Sequence, residues 1–210
     1  MTSSEEKKTP GLWTVPNIMT SARIVLAVVL FAVLPMKMYT TALALFLVAA
    51  GTDWLDGWWA RRYNLVSQLG RILDPFADKM IVCGTFIYLV TIPELTEPIR
   101  IMACPRVNWA LAPWMVVVIV MRELLVTMLR SLIEGRGGDF SAKWIGKWKM
   151  ALQCLAIGLC LLFLIRVERG DPLCRFLNFC MVVSLWGTVY LTVHSGIQYI
   201  IAASRAMKRD

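Results

Sequence analysis

Charge is what this sequence has least of. Charged residues fill 17% of its 210 positions, against about 25% in a soluble domain. Basic residues never run longer than a pair, as at Lys7–Lys8 and Arg61–Arg62, and no stacking aromatics interleave with them. Nucleic-acid binding is therefore not expected, despite a net charge of +8. The six cysteines form no Cys-x-x-Cys pair and no Cys/His ligand spacing, which excludes the usual zinc and redox motifs. Cys83, Cys154, Cys160 and Cys180 sit in apolar runs, where a thiol acts as a small hydrophobe. Cys104 and Cys174 fall in two loops assigned below to one side, where a disulfide is an open alternative. Histidine occurs once, at His194 beside Ser195 in an apolar run. A hydrogen-bonded histidine between helices fits that setting better than a catalytic one. No apolar core follows Lys7 and Lys8 at once, so no cleavable signal peptide is expected. No internal repeat is visible.

What fills the chain instead is hydrocarbon. Hydrophobic residues make up 58% and the mean hydropathy is +0.64. A soluble fold would expose too much of this surface. The expected class is all-α, a polytopic membrane protein. At about 20 residues per span the length accommodates six transmembrane helices. Residues 1–16 form a polar N-terminus and an interfacial segment around Trp13. The six-helix membrane domain covers 17–204, and 205–210 is a cytoplasmic tail.

The spans are expected at about 17 or 20 to 34, 38–62, 70–91, 109–133, 143–164 and 176–203. Polar turns separate them, the longest at 93–108. Pro75 falls one turn into the third span, where a bend is tolerated. An even number of spans puts both termini on one side. Sixteen of the 22 Lys and Arg residues fall on that side and six on the other. The excess of positive charge marks the cytoplasm, so both termini are cytoplasmic. With no organellar presequence visible, the expected location is the cell (inner) membrane.

Against this background Thr52–Lys79 stands out, with Asp53, Asp56, Asp74 and Asp78 among only 14 acidic residues. Carboxylates at a hydrocarbon edge are costly and need a reason. Asp53 and Asp56 are spaced i, i+3 and Asp74 and Asp78 i, i+4, so each pair shares a helix face. Two readings stay open. The pairs are salt-bridged to Arg61, Arg62, Arg71 and Lys79, or they hold hard divalent cations, Mg2+ or Mn2+. Position favours the second. The unusual charges of the second, third, fourth and fifth spans all fall at the cytoplasmic ends.

A metal beside Arg61, with Arg122, Arg130, Lys147 and Lys149 at the same level, suits a phosphate-bearing substrate. One carboxylate outside the full metal shell would take a proton from an attacking hydroxyl. Gly57, Ala60 and Gly70 admit close helix packing or a flat ligand equally well. Arg23 either snorkels to the interface or meets a phosphate. For Lys147 and Lys149 the alternative is membrane anchoring, and for Arg122 and Glu123 an ion pair.

The string Asp53-x2-Asp56-Gly57-x2-Ala60-Arg61-x8-Gly70-x3-Asp74-x3-Asp78 resembles, at every specified position, the signature of the CDP-alcohol phosphatidyltransferase family. The resemblance implies six transmembrane helices, a homodimer, two divalent ions at the four aspartates and a cytidine-diphosphate donor. It implies Asp53, Asp56 and Asp74 as metal ligands, and Asp78 as both ligand and general base. Gly57, Ala60, Arg61 and Gly70 would then receive the CDP-diacylglycerol. The stretches PNIMTSARIVLA, GRILDPFADKMIV, MRELLVTMLR and WIGKWKMALQ resemble the bacterial phosphatidylglycerophosphate synthases within that family.

That narrower likeness implies glycerol 3-phosphate as acceptor, its phosphate held by Arg122, Lys147 and Lys149 with Arg23 and Arg130. Its 1-hydroxyl would attack the donor's β-phosphorus and release CMP. Met150 departs from the small residue expected at its position. The rival acceptors are phosphatidylglycerol, as in a cardiolipin synthase, an inositol phosphate and serine. From other classes, a divalent-cation transporter would place its acids at the midplane, and a non-catalytic homologue would not retain the whole signature.

Overall fold

The first helix, α1 (Val15–Val33), carries Pro16 in its first turn, where a missing N–H is not needed. It ends in a 3-10 turn, Leu34–Met36, built on Pro35. Lys37 then adopts the left-handed conformation, φ 57°, and its N–H donates to the Leu34 carbonyl at 3.0 Å. That reversal starts α2 (Tyr39–Tyr63) antiparallel to α1. There follow α3 (Gln68–Leu89), a single turn α4 (Pro93–Thr96), α5 (Pro113–Gly135), α6 (Trp144–Glu168) and α7 (Cys174–Met207). The computed structural model describes residues 15–63, 68–96, 111–135, 144–171 and 173–207, with side chains for 21–52, 79–96, 111–129, 148–171, 173–174 and 176–204. All regular structure among the described residues is helical.

The boundaries shift where side chains or local turns set them. Helix α3 begins at Gln68, so Pro75 lies two turns in rather than one. Part of the expected 93–108 loop is helical, because Pro93 opens α4 and Glu94 favours its N-terminus. The Leu111 N–H donates to the Leu95 carbonyl at 2.9 Å, which ties this turn to the approach to α5. Helix α6 continues past the expected end to Glu168. Its exit is fixed by Gly170 at φ 65° and by Asp171, which pairs with Arg166 and accepts the Leu173 N–H at 3.0 Å. That N–H and the Arg166 guanidinium hold the Asp171 carboxyl below the usual carboxylate range. The expected interfacial segment up to residue 14 lies outside the described residues, as does Cys104. Cys174 is buried at the start of α7.

Helix α1 packs on α2 and α3, α6 on α2 and α7, and α5 on α3 and α7. The interior is apolar, with Leu30, Phe46, Phe86, Ile119, Ile157 and Leu161 at 0–1% exposure. The outside is apolar too: Val25, Leu47, Val117, Met121, Phe176, Phe179 and Ile197 are all more than half exposed. A fold with apolar residues on both surfaces is solvated by hydrocarbon or covered by partners. Two stretches, Trp148–Glu168 and Phe176–Ser204, are long and apolar enough to cross a bilayer, and Ser21–Met36, Tyr39–Thr52 and Lys79–Leu89 are shorter apolar helices. These are features of a membrane protein.

Several hydroxyls inside the helices are satisfied locally. Thr85 Oγ1 donates to the Ile81 carbonyl at 2.6 Å, Ser184 Oγ to Met181 at 2.8 Å and Ser195 Oγ to Thr192 at 3.1 Å. None of these bonds needs water. Close approach is bought at Gly84, where a Cβ would lie 2.3 Å from Cζ of Phe31. His194 departs from the expected interhelix position. It is exposed, and its ring stacks at 6.0 Å on Tyr190 one turn earlier. The inward face is taken there by Thr192 and Ser195, both 0% exposed.

Candidate active site

Helices α2 and α3 carry the signature on their facing ends in sequence. Asp53, Asp56, Gly57, Ala60 and Arg61 lie in the last three turns of α2. Gly70, Asp74 and Asp78 lie in the first three turns of α3. Their side chains are outside the described residues, as are those of Arg130 on α5 and Lys147 on α6. Among the described residues no cluster of three or more metal-ligating side chains occurs. As a donor set, four carboxylates supply the hard oxygen ligands that Mg2+ or Mn2+ takes.

The described side chains nearest this region line a small cleft. Arg23 from α1, Ala49 and Ala50 from α2, Ile81 and Val82 from α3, and Met150 from α6 form its walls. Ala50 is one helical turn before Asp53 and Ile81 one turn after Asp78. The cleft thus lies at the level where α2 enters its acidic segment and α3 leaves its own. Arg23 is 3% exposed, so it faces the protein rather than snorkelling outward. Met150, the departure from the expected small residue, is also in its lining.

Beside Met150 the buried charges converge. Lys149 Nζ forms an ion pair with Glu123 Oε1. The same oxygen accepts from Gln153 Nε2 at 3.3 Å and from Arg122 Nη1 at 3.3 Å. Lys149 is 4%, Gln153 2% and Glu123 9% exposed. Lys149 and Gln153 are one turn apart on α6, so they reach α5 from one face. Arg122 extends to α7, where its Cζ stands 5.5 Å from the Tyr199 ring centroid. Its Cγ lies 3.2 Å from where a Cβ on Gly196 would be. The buried Arg122 Nε has no hydrogen-bond partner among the described residues.

This arrangement brings together Arg122 and Lys149 from the expected acceptor set, and puts Arg23 on the neighbouring cleft. It also makes the Arg122–Glu123 ion pair real, as part of a larger cluster. Two cations, Lys149 buried and Arg122 part-buried, share one carboxylate, which leaves a net positive charge among these side chains in a largely buried setting. Such a setting stabilises an anionic ligand far more than water does. Gly196 and Tyr199 were not singled out from the sequence, and Gln153 entered only as the last residue of the WIGKWKMALQ stretch. Their signal was the i, i+4 spacing of Lys149 and Gln153, and the Gly196-x-x-Tyr199 pair on one face of α7.

Comparison with known proteins identifies the family. Residues 13–194 match the family model of the CDP-alcohol phosphatidyltransferases. A CDP-diacylglycerol–glycerol-3-phosphate 3-phosphatidyltransferase of Bacillus subtilis (strain 168) is 36% identical over 166 residues, 78% of this chain and 74% of its own. The protein of the same name from Blochmanniella floridana is 30% identical over 199 residues, covering 92% and 93% of the two chains. A CMP-forming cardiolipin synthase of Oryza sativa subsp. japonica is 31% identical over 159 residues, 70% of this chain and 45% of its own. The chain belongs to the CDP-alcohol phosphatidyltransferase family.

Proposed function

We propose that the protein transfers the phosphatidyl group of CDP-diacylglycerol to glycerol 3-phosphate, giving phosphatidylglycerophosphate and CMP. The observation that carries the choice of acceptor is the convergence of buried Lys149 and part-buried Arg122 on a single carboxylate. A phosphorylated small acceptor needs such a charge; serine does not. Relatives that bear the name of this activity support the same reading. In this reading α1, α2, α3, α5, α6 and α7 are six spans with both termini in the cytoplasm, in the inner membrane, as a homodimer.

The 1-hydroxyl of glycerol 3-phosphate attacks the donor's β-phosphorus. The new ester bond forms as the pyrophosphate bond breaks, and CMP departs. Asp78 takes the hydroxyl proton. Arg61 holds the diphosphate in its fork, with Gly57, Ala60 and Gly70 leaving room for the donor. Arg122, Lys147 and Lys149 orient the acceptor phosphate, with Arg23 and Arg130 beside them. Two Mg2+ or Mn2+ ions held by Asp53, Asp56, Asp74 and Asp78 would supply charge stabilisation on the diphosphate.

The test is an acceptor panel. Detergent-purified protein receives CDP-diacylglycerol, Mg2+ or Mn2+ and each acceptor in turn, with CMP release measured. Glycerol 3-phosphate is expected to give CMP. Release with phosphatidylglycerol and none with glycerol 3-phosphate would transfer the reading to cardiolipin synthesis. Metal-dependent ion flux in liposomes without CMP release would favour a transporter.

A further inference from the structure

We infer that Tyr199 and Gly196 on α7, outside the signature helices, are positioning residues that aim Arg122 at the acceptor phosphate. The inference rests on the proposed acceptor and names what sets its site. Arg122 and Glu123 are consecutive on α5, so their side chains leave the helix about 100° apart. Glu123 is turned toward α6, where Lys149 and Gln153 hold it. Arg122 must therefore be held from elsewhere if its guanidinium is to stay at the cluster. Helix α7 does this at two points. Gly196 lets the stem lie against the backbone, with 3.2 Å from Cγ to a notional Cβ. The Tyr199 ring lies 5.5 Å below the guanidinium carbon. Residues 196 and 199 are i, i+3, so both contacts come from one face.

The contact to Tyr199 engages the guanidinium through the ring face and consumes none of its N–H donors. Nη1 is spent on Glu123. The buried Nε has no partner among the described residues, which leaves a donor for an anion. A cation–π contact thus fixes the group while keeping its hydrogen-bonding edge for the ligand, which a second carboxylate would not do.

The experiment compares KM for glycerol 3-phosphate, KM for CDP-diacylglycerol and kcat in four proteins: wild type, Tyr199→Leu, Tyr199→Phe and Gly196→Ala. Tyr199→Leu is expected to raise KM for glycerol 3-phosphate by roughly three- to thirtyfold, the range of one partly buried cation–π contact. KM for CDP-diacylglycerol is expected to stay put. Tyr199→Phe keeps the ring face and is expected to behave as wild type. Gly196→Ala displaces the Arg122 stem without touching the ring and is expected to raise the same KM alone. If Tyr199→Leu and Gly196→Ala both leave that KM unchanged, or move both KM values together, the positioning role is overturned while the acceptor reading stands. A wild type that releases no CMP with glycerol 3-phosphate overturns both.

Discussion

Replacing Glu123 by Gln removes one charge from the buried cluster and almost no volume. Glu123 Oε1 faces Lys149, Gln153 and Arg122, and the side chains of Lys149 and Glu123 are 4% and 12% exposed. At that burial little solvent screening remains. Breaking a buried ion pair by removing one partner costs about 3–5 kcal/mol, because the other charge stays uncompensated. Two cations are left here, and unit charges 4 Å apart repel by about 4 kcal/mol at an effective dielectric of 20. The amide of Gln still accepts hydrogen bonds, which offsets part of this cost. A loss of about 3 kcal/mol is expected. Lys149→Met should cost less, about 1–2 kcal/mol, because Arg122 and Gln153 still serve the carboxylate. The double variant should fall short of additivity by about 2 kcal/mol. Unfolding in mixed micelles, driven by a denaturing detergent and followed by far-UV circular dichroism, measures all four corners. A Glu123→Gln protein as stable as wild type, or strict additivity, would refute the cluster as drawn.

Asp78→Asn should lower CMP release by roughly 10²–10⁴-fold, the range of a lost general base, with the circular dichroism spectrum unchanged; full turnover would sink that role. A chelator should abolish turnover, and Mg2+ or Mn2+ should restore it, as read by the same CMP assay. Gly84→Ala drives a Cβ into the Phe31 ring and should cost about 1–3 kcal/mol; adding Phe31→Leu should recover most of it in the same unfolding titration. Asp171 has a lowered folded pKa, caused first by the Leu173 N–H and then by Arg166. Its stabilisation is present above the unfolded carboxylate value of about 3.9 and is lost as pH falls through the lower folded value. The thermal midpoints of wild type and Asp171→Asn should therefore differ at pH 7 and converge only once the pH has fallen through the lowered folded value.

The helices were legible because hydrocarbon writes a coarse pattern. Long apolar stretches broken by Pro, Gly and charge give each long helix to within a few residues. The ends were less legible, since a terminus is decided by single contacts. Helix α6 overruns because Gly170 supplies a positive φ and Asp171 closes the turn onto Arg166. No hydropathy pattern carries that information. Likewise α4 depends on Leu111 returning to Leu95, a contact across sixteen positions of sequence.

The site divides along the same line. The acidic signature is local, within one helix pair, and its register can be read as a string. The charge cluster is not local: it joins α5, α6 and α7, and depends on how each helix is rotated. Arg122 and Glu123 are neighbours in sequence, yet one is directed to Tyr199 and the other to Lys149. Sequence alone left both the phosphate and the ion-pair readings of this dipeptide standing, and the rotation of α5 makes them compatible. A trace of the third helix was present all along. Thr188, Thr192, Ser195 and Tyr199 recur at spacings of four, three and four in a mostly apolar helix. In a membrane a polar stripe of that period faces protein rather than lipid, and Thr188, Thr192 and Ser195 are all 0% exposed. The stripe ends at Tyr199, where the charge it meets is Arg122. Tyr199 therefore belongs with the cations of α5 and α6, whereas Ser195 bonds within α7 and Thr188 reaches the Leu152 carbonyl of α6.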